Sequence, residues 1–600
     1  MSAVAPAPRT ARALRAGARS RAFAVTDAHA IAALALWTLA IGVLTWGTWG
    51  DLTMDTGYDL LAGARTAGGE LPYVDYTYFY GPVAPLLLGG IYAVTGAAIW
   101  PAAALGLALA VLAIGLTYRL ARLFVTPLPA GLAAALVAPA ALSSANNSYV
   151  LPHTFSAPLG IVLTLGALIL LARWARDGGS RGRLVAAGAL LGAIAITRPE
   201  IAASVYVGVT GWLAFLLWRA RGERTSALRD AAAVLAPAAA IPLVVYGAFA
   251  AAVGVGDLLW ENLYPRDYIE AAGSVVLKLH APLTASSVAE LAAHAIGYGA
   301  GIGALLAAGA ALQARGRART LALAAAAGGV LVFLAVLAAR PDTVRFYLEW
   351  AWAWIPVGAW VAAGVLAWRA RSAESRAVLL VVLVLAVAAT SIYADFVATP
   401  NALHPNTVAY LLPLAAVFLA WLHGRVLARD AGTAALGAGW LAVLAVAMGA
   451  LVVHDARQET ETVRGVHGTM TARPAEAAAL QQALTTLERT TRPGEAVLLA
   501  PQLTSLYVMA DRSNPLPQLS LLPGMLATPE DEQGAIERMD DVRVVVVDRA
   551  PQTTYEHGAF GTTFATGLAD WLKREFRRTA TVSGSGPNAR TLDVWTRSSP

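Results

Sequence analysis

Runs of about 20 apolar residues recur along most of this chain, and that repetition leaves few folds open to it. In 600 residues, 57% are hydrophobic and only 14% are charged. A run of that length matches the hydrocarbon thickness of a bilayer when it is helical. The runs fall at 28–49, 99–119, 128–144, 155–175, 184–198, 201–219, 229–252, 291–313, 320–340, 349–368, 376–394, 407–423 and 433–453. The segment 82–97 is shorter and flanked by Gly and Pro, so it reads as a juxtamembrane or re-entrant helix.

Arginine placement tests the count. Arg119/Arg122, Arg173/Arg176/Arg181/Arg183, Arg219/Arg221/Arg224, Arg315/Arg317/Arg319, Arg369/Arg371/Arg376 and Arg425/Arg429 fall at alternate turns. All of them land in the cytoplasm if the N-terminus does, as the positive-inside bias requires. The formal charge of +6 is thereby spent on topology, not on one basic face, and nucleic acid is not an expected partner. The basic head (Arg9, Arg12, Arg15, Arg19, Arg21) precedes an apolar run too long for a signal-peptide core, so the first helix is expected to be retained. With no cysteine, the chain can form neither disulfides nor thiolate metal sites.

The expected fold is therefore a mostly α, polytopic membrane bundle of about thirteen spans over 28–453. A disordered cytoplasmic head precedes it over 1–27. After residue 454 the composition turns polar, and helical periodicity at 474–490 and 563–577 alternates with strand-like runs at 496–500, 542–547 and 591–596. That pattern predicts a small α/β domain, extracytoplasmic by the same topology.

The polar residues gather in the loops this topology places outside. Between the first two spans lie Asp51, Asp55, Asp59, Glu70 and Asp75, interleaved with Tyr58, Tyr73, Tyr76 and Tyr80. Carboxylates at a membrane mouth are costly unless they line water, a cation or a charged substrate. Asp55 reads either as an N-cap, where a helix dipole favours it, or as a general base or metal-linked carboxylate. Asp59 lies one turn on and either faces solvent or faces the same cavity as a second catalytic carboxylate, where it or Asp75 would orient an acceptor for Asp55. Asp75 is either structural or a contact to a polar ligand.

The turn 143–153 brings Asn147 and His153. In Thr197-Arg198-Pro199-Glu200, an arginine on the outer side needs an anionic partner, which is Glu200 or a phosphate. Farther on come Lys278, one of two lysines in the chain, then Arg345 and His404. Cations Arg198, Lys278, Arg345 and His404 facing carboxylates 55 and 59 outline a site for a phosphorylated lipid, because a leaving phosphate needs its developing charge neutralised.

The first loop also resembles that of a known family. An outer aspartate after the first span, then Gly57-Tyr58, Gly68-Gly69-Glu70-Leu-Pro72-Tyr73-Val-Asp75 and Gly81-Pro82, is similar to GT-C-fold glycosyltransferases. The nearest groups are polyprenyl-phosphate-sugar-dependent enzymes related to bacterial protein O-mannosyltransferases and aminoarabinose transferases. Arg119–Phe124 and Tyr410-Leu-Leu-Pro413 resemble the family too, and the likeness covers roughly 28–425.

The resemblance implies an enzyme of the bacterial plasma membrane that moves a hexose or pentose from a polyprenyl-phosphate donor to a glycan, protein or lipid acceptor. It implies Asp55 as the base that deprotonates the acceptor, a divalent cation (Mg or Mn) near it, and inversion at the anomeric carbon. Where the family carries a second acidic residue after that aspartate, this chain has Thr56. The competing reading is a transporter or flippase of lipid-linked sugars, which predicts inverted repeats and charges at mid-membrane.

Overall fold

The computed structural model describes residues 25–51, 56–144, 148–220, 223–271, 285–313, 316–351, 354–369, 372–396, 405–427, 431–552, 557–586 and 589–598. Twelve of the thirteen apolar runs lie on one helix each, while 349–368 is shared between the end of the helix Pro341–Ala351 and the helix Ile355–Arg369. The first nine helices in chain order are α1 (Asp27–Leu44), α2 (Thr56–Ala67), α3 (Val83–Thr95), α4 (Ile99–Ala121), α5 (Pro127–Ala141), α6 (Ser156–Asp177), α7 (Arg181–Ala195), α8 (Pro199–Arg219) and α9 (Arg224–Val253). Among the described residues, eight helices are long and apolar enough to cross a membrane. The chain is a helical membrane bundle carrying a small C-terminal sheet domain.

The segment 82–97 is the short helix α3, 13 residues long, and it packs on α2 beside the bundle. Gly63 permits that approach, since a Cβ there would sit 2.7 Å from Leu88 Cγ.

The bundle has a packed centre and bare flanks. α6 lies against α4, α7 and the helix Ala373–Phe396. Trp212 of α8 is fully buried beside Trp174, edge to face at 6.3 Å, and donates its indole N–H to the Arg376 carbonyl at 2.9 Å. By contrast Leu36, Leu243, Val244 and Trp368 stand exposed, a face that only an apolar solvent makes stable.

The tail opens with an antiparallel hairpin, β1 (Glu461–Gly465) and β2 (Gly468–Ala472), followed by the helix Pro474–Thr490. A four-stranded mixed sheet comes next, formed by β3 (Leu498–Ala500), β4 (Val544–Asp548), β5 (Phe576–Ser583) and β6 (Thr591–Arg597) in the order β3-β4-β6-β5. β3 and β4 pair in parallel, while β6 runs antiparallel to both its neighbours.

The strand-like runs at 496–500, 542–547 and 591–596 are strands here, and the helix at 474–490 has those bounds. Sequence periodicity passed over two features. β5 begins where the second predicted helix was still running, because Phe576 turns the chain from α to β without an intervening loop. The hairpin β1–β2 was also missed. Its register pairs Gly465 with Gly468 across the two-residue turn Val466-His467, which lacks the central Asn or Gly that marks such hairpins in a sequence.

Close backbone approaches fix how the loops meet the bundle. Gly106 of α4 lies under the turn 149–150, where an added Cβ would fall 1.9 Å from the Val150 carbonyl oxygen. Gly106→Ala therefore forces backbone to move, and is expected to cost about 1–3 kcal/mol. Thermal unfolding of the purified variant checks this, with an unchanged midpoint as the contrary result.

Candidate functional site

Three stretches far apart in sequence meet at one end of the bundle: the first loop, the turn before α6, and the turn before α8. In the irregular segment Tyr76-Thr-Tyr78-Phe-Tyr80 the ring of Tyr78 lies edge to face with those of both Tyr76 and Tyr80, and Tyr76 and Tyr78 are fully buried. Gly81 then lets the segment press on the α7–α8 turn. Its N–H donates to the Thr197 carbonyl at 3.1 Å, and a Cβ there would lie 2.1 Å from the Ile196 oxygen.

Asp59 is the centre of this junction. It is 1% exposed, yet its carboxylate accepts three hydrogen bonds. The Tyr78 hydroxyl donates at 2.6 Å, the Thr154 hydroxyl at 3.0 Å and the Phe155 N–H at 2.5 Å. Burial raises its pKa above the ordinary carboxylate value, while those three donors and nearby His153 pull it back. Burial also holds the Tyr58 and Tyr78 hydroxyls well above their usual range, so both act as donors.

From Asp59 a polar chain runs to a cation. The Thr154 hydroxyl lies 2.9 Å from that of Ser156, and Arg198 donates to the Ser156 hydroxyl at 3.4 Å. The Arg198 guanidinium sits 4.4 Å from the centre of the Tyr80 ring, a cation–π distance. The Tyr80 hydroxyl and His153 Nε2 are 2.7 Å apart. Arg198 also pairs with Glu200 at 3.8 Å, and the Glu200 side chain is mostly exposed.

Other candidates lie elsewhere or beyond view. Tyr58 stacks on Tyr78 with ring centres 5.5 Å apart and turns its hydroxyl to the Thr77 carbonyl, so it faces the interior. Asp75 accepts the Leu71 N–H at 2.8 Å and closes its own turn. Arg345 is paired with Asp455 at 2.6 Å, where the bundle runs into the tail. Asp55, Asn147, Lys278 and His404 lie outside the described residues.

Asn262 belongs to the polar run 260–268 of the long outer loop, and the sequence assigns it no role of its own. It is 3% exposed and sits in the π-helical stretch Leu258–Leu263. Its side-chain oxygen accepts the Tyr78 N–H at 2.9 Å, tying the end of α9 to the first loop. The signal for it was faint, since one Asn in a polar loop has no periodicity to mark it.

Among the described residues no three His, Asp or Glu side chains converge as a resident cation requires. Asp59 already spends its oxygens on protein donors, so the buried junction does not fit a metal. What it can do is hold an arginine, a histidine–tyrosine pair and an exposed carboxylate in fixed relation at the end of apolar helices.

No family model matches the chain, and no curated protein matches it. Solved structures do. ArnT from Cupriavidus metallidurans, bound to undecaprenyl phosphate, aligns at 13% identity over 94% of this chain and 97% of that one, with a TM-score of 0.49. The oligosaccharyltransferase AglB from Archaeoglobus fulgidus, with an inhibitory peptide and a dolichol-phosphate, aligns at 15% identity over 94% of this chain and 74% of that one, with a TM-score of 0.48. At these identities neither likeness gives any residue a role.

Replacing Asp59 by Ala strands three buried donors, at about 1–3 kcal/mol for each group left unsatisfied. We expect Asp59→Ala to lower stability by about 3 kcal/mol or more, and Asp59→Asn, which keeps an acceptor oxygen, to recover much of the loss. The pH dependence has a definite sign. A carboxyl whose folded pKa is raised contributes stability below the unfolded value, and that contribution is lost as pH rises through the folded pKa. Unfolding midpoints followed upward from about pH 4 should fall for wild type relative to Asp59→Asn; parallel profiles would remove the titration from the account.

Proposed function

We propose that this protein is a membrane glycosyltransferase that moves a sugar from a polyprenyl-phosphate donor to an acceptor hydroxyl or amine on the outer side of the membrane. One observation carries the reading. Arg198, 12% exposed at its side chain, is held between Tyr80 and Ser156 at the mouth of a bundle whose outer faces are apolar. A guanidinium so placed suits a lipid phosphate, whose chain lies among apolar helices while its head meets a fixed cation.

In this reading the bond from the anomeric carbon to the phosphate oxygen breaks and the electron pair leaves with the phosphate. Arg198 steadies that charge, joined by Lys278 and His404, while Arg345 stays with its partner Asp455. The acceptor oxygen or nitrogen attacks from the opposite face, so configuration inverts, and its proton passes to Asp55. Asp59 does not move a proton; it holds the turn that presents His153 and Ser156. The first-loop resemblance supports Asp55 as base, and the alternation of arginines between helices supports an outward-facing site. Glu200 and Asn147 are assigned to the acceptor's polar groups. A divalent cation, if one is bound, would be held through Asp55 and would help neutralise the leaving phosphate.

Transfer from a radiolabelled polyprenyl-phosphate sugar by enzyme in liposomes tests the reading. Asp55→Asn should lower kcat about 10²–10⁴-fold, the usual scale for a lost general base. Arg198→Ala should lower kcat/KM for the donor about 10²–10³-fold, as for a lost electrostatic stabiliser. Undiminished turnover in Asp55→Asn would sink that residue as base, and undiminished turnover in both would sink the site.

A further inference from the structure

The C-terminal domain does more than hang from the last helix. It grips the first loop at two places. At the start of α2, Gly57 is pressed on the tail turn 504–505, where an added Cβ would lie 2.1 Å from the Ser505 nitrogen and 2.6 Å from the Thr504 carbonyl carbon. Both of these are backbone, so no side chain fits without moving one element.

The preceding residue of that turn, Leu503, has φ +35°, in the left-handed region that a branched side chain enters only at a cost of about 1–3 kcal/mol. The turn keeps that conformation while wholly buried against the loop.

The second grip is Arg65, one of whose nitrogens donates to the tail carbonyl of Leu516 at 2.6 Å. Its other nitrogens reach the Asp75 carbonyl at 3.1 Å and the Glu70 carboxylate at 2.6 Å, while its guanidinium lies 5.1 Å from the Tyr76 ring centre. One arginine thus ties α2, the 70–76 turn and the tail together. Beside it the Thr77 N–H and hydroxyl both donate to the Pro517 carbonyl, at 3.0 and 3.3 Å. Thr77 immediately precedes Tyr78, the donor to Asp59. The grip is therefore applied one residue from the buried junction.

A third contact closes the ring. Gly524 of the tail lies against Asp267 and Tyr268, and Tyr268 stacks on Phe79 at 5.4 Å.

We infer that the C-terminal domain is a working part of the transfer site, with Gly57 and Arg65 as positioning residues through which the 503–505 turn and the 516–517 strap hold the loop bearing Asp59, Tyr78 and Tyr80. This rests on the transferase reading of that loop. A group held about 1 Å off its productive place costs a site on the order of 10²-fold in rate. The tail is then needed for the chemical step, not only for the fold.

The test uses the full-length protein in nanodiscs, as wild type, Gly57→Ala and Arg65→Lys, the last keeping the charge but losing the three-way fork. Two readouts are taken: steady-state transfer per folded molecule, and hydrogen exchange at the amides of 56–67 and 71–80. The inference expects faster exchange in those segments in both variants, and kcat lowered about 10²-fold with the donor KM within about threefold of wild type. It is overturned if kcat per folded molecule stays within about twofold of wild type, or if exchange in the first loop is unchanged. Should Gly57→Ala fail to accumulate, Arg65→Lys decides alone by the same criteria. Wild-type protein that transfers no sugar would be a failure of the transferase reading, and an active wild type with unaffected variants would be a failure of this inference only.

Discussion

A buried carboxylate with three donors is the contact on which the site depends. Asp59 gives up bulk solvation to sit between the first loop and the turn before α6. Such a group destabilises a fold unless donors meet it, and here Tyr78 reaches one oxygen while Thr154 and the Phe155 N–H reach the other. The three donors come from two chain segments that also meet through Tyr80 and His153, and satisfying the carboxylate helps to set their register. His153, Ser156 and Arg198 follow from that register, because the residues that satisfy Asp59 are their immediate neighbours or bond to them.

Around this knot the protein uses glycine to bring backbone against backbone. Gly81 seats the tyrosine-bearing segment on the α7–α8 turn, and Gly57 seats α2 on the tail. The bundle supplies apolar faces for lipid, the loops supply polar side chains, and the tail restrains the loops. The tail reaches the loop one residue from Tyr78, where the Thr77 N–H and hydroxyl both donate to the Pro517 carbonyl.

Much of the bundle was legible in the sequence because its cause is local. A run of about 20 apolar residues is its own signal, and all but 349–368, which two helices share, lie on one helix each. Arg198 was legible as a cation that needed a partner, and the structure adds Tyr80 and Ser156 to Glu200. The role of Asp59 was not legible. Whether a helical aspartate faces a cavity, solvent or buried donors depends on residues 19 to 96 positions away, and periodicity does not report them. The contacts of Asn262 and Arg65 were not legible for the same reason, since each is defined by distant backbone. In the tail, strands with continuous valine runs were plain, while β5 was hidden by the helix that runs into it.

The central claim is that the cluster around Arg198 receives a lipid phosphate. A structure of the protein with a non-transferable polyprenyl-phosphate sugar analogue measures this directly. The account predicts the phosphate within hydrogen-bond reach of the Arg198 guanidinium, the isoprenoid chain along the apolar helix faces and the sugar toward the first loop. A phosphate bound away from Arg198, with the Tyr80–His153–Arg198 cluster unchanged and closed to the ligand, would contradict it.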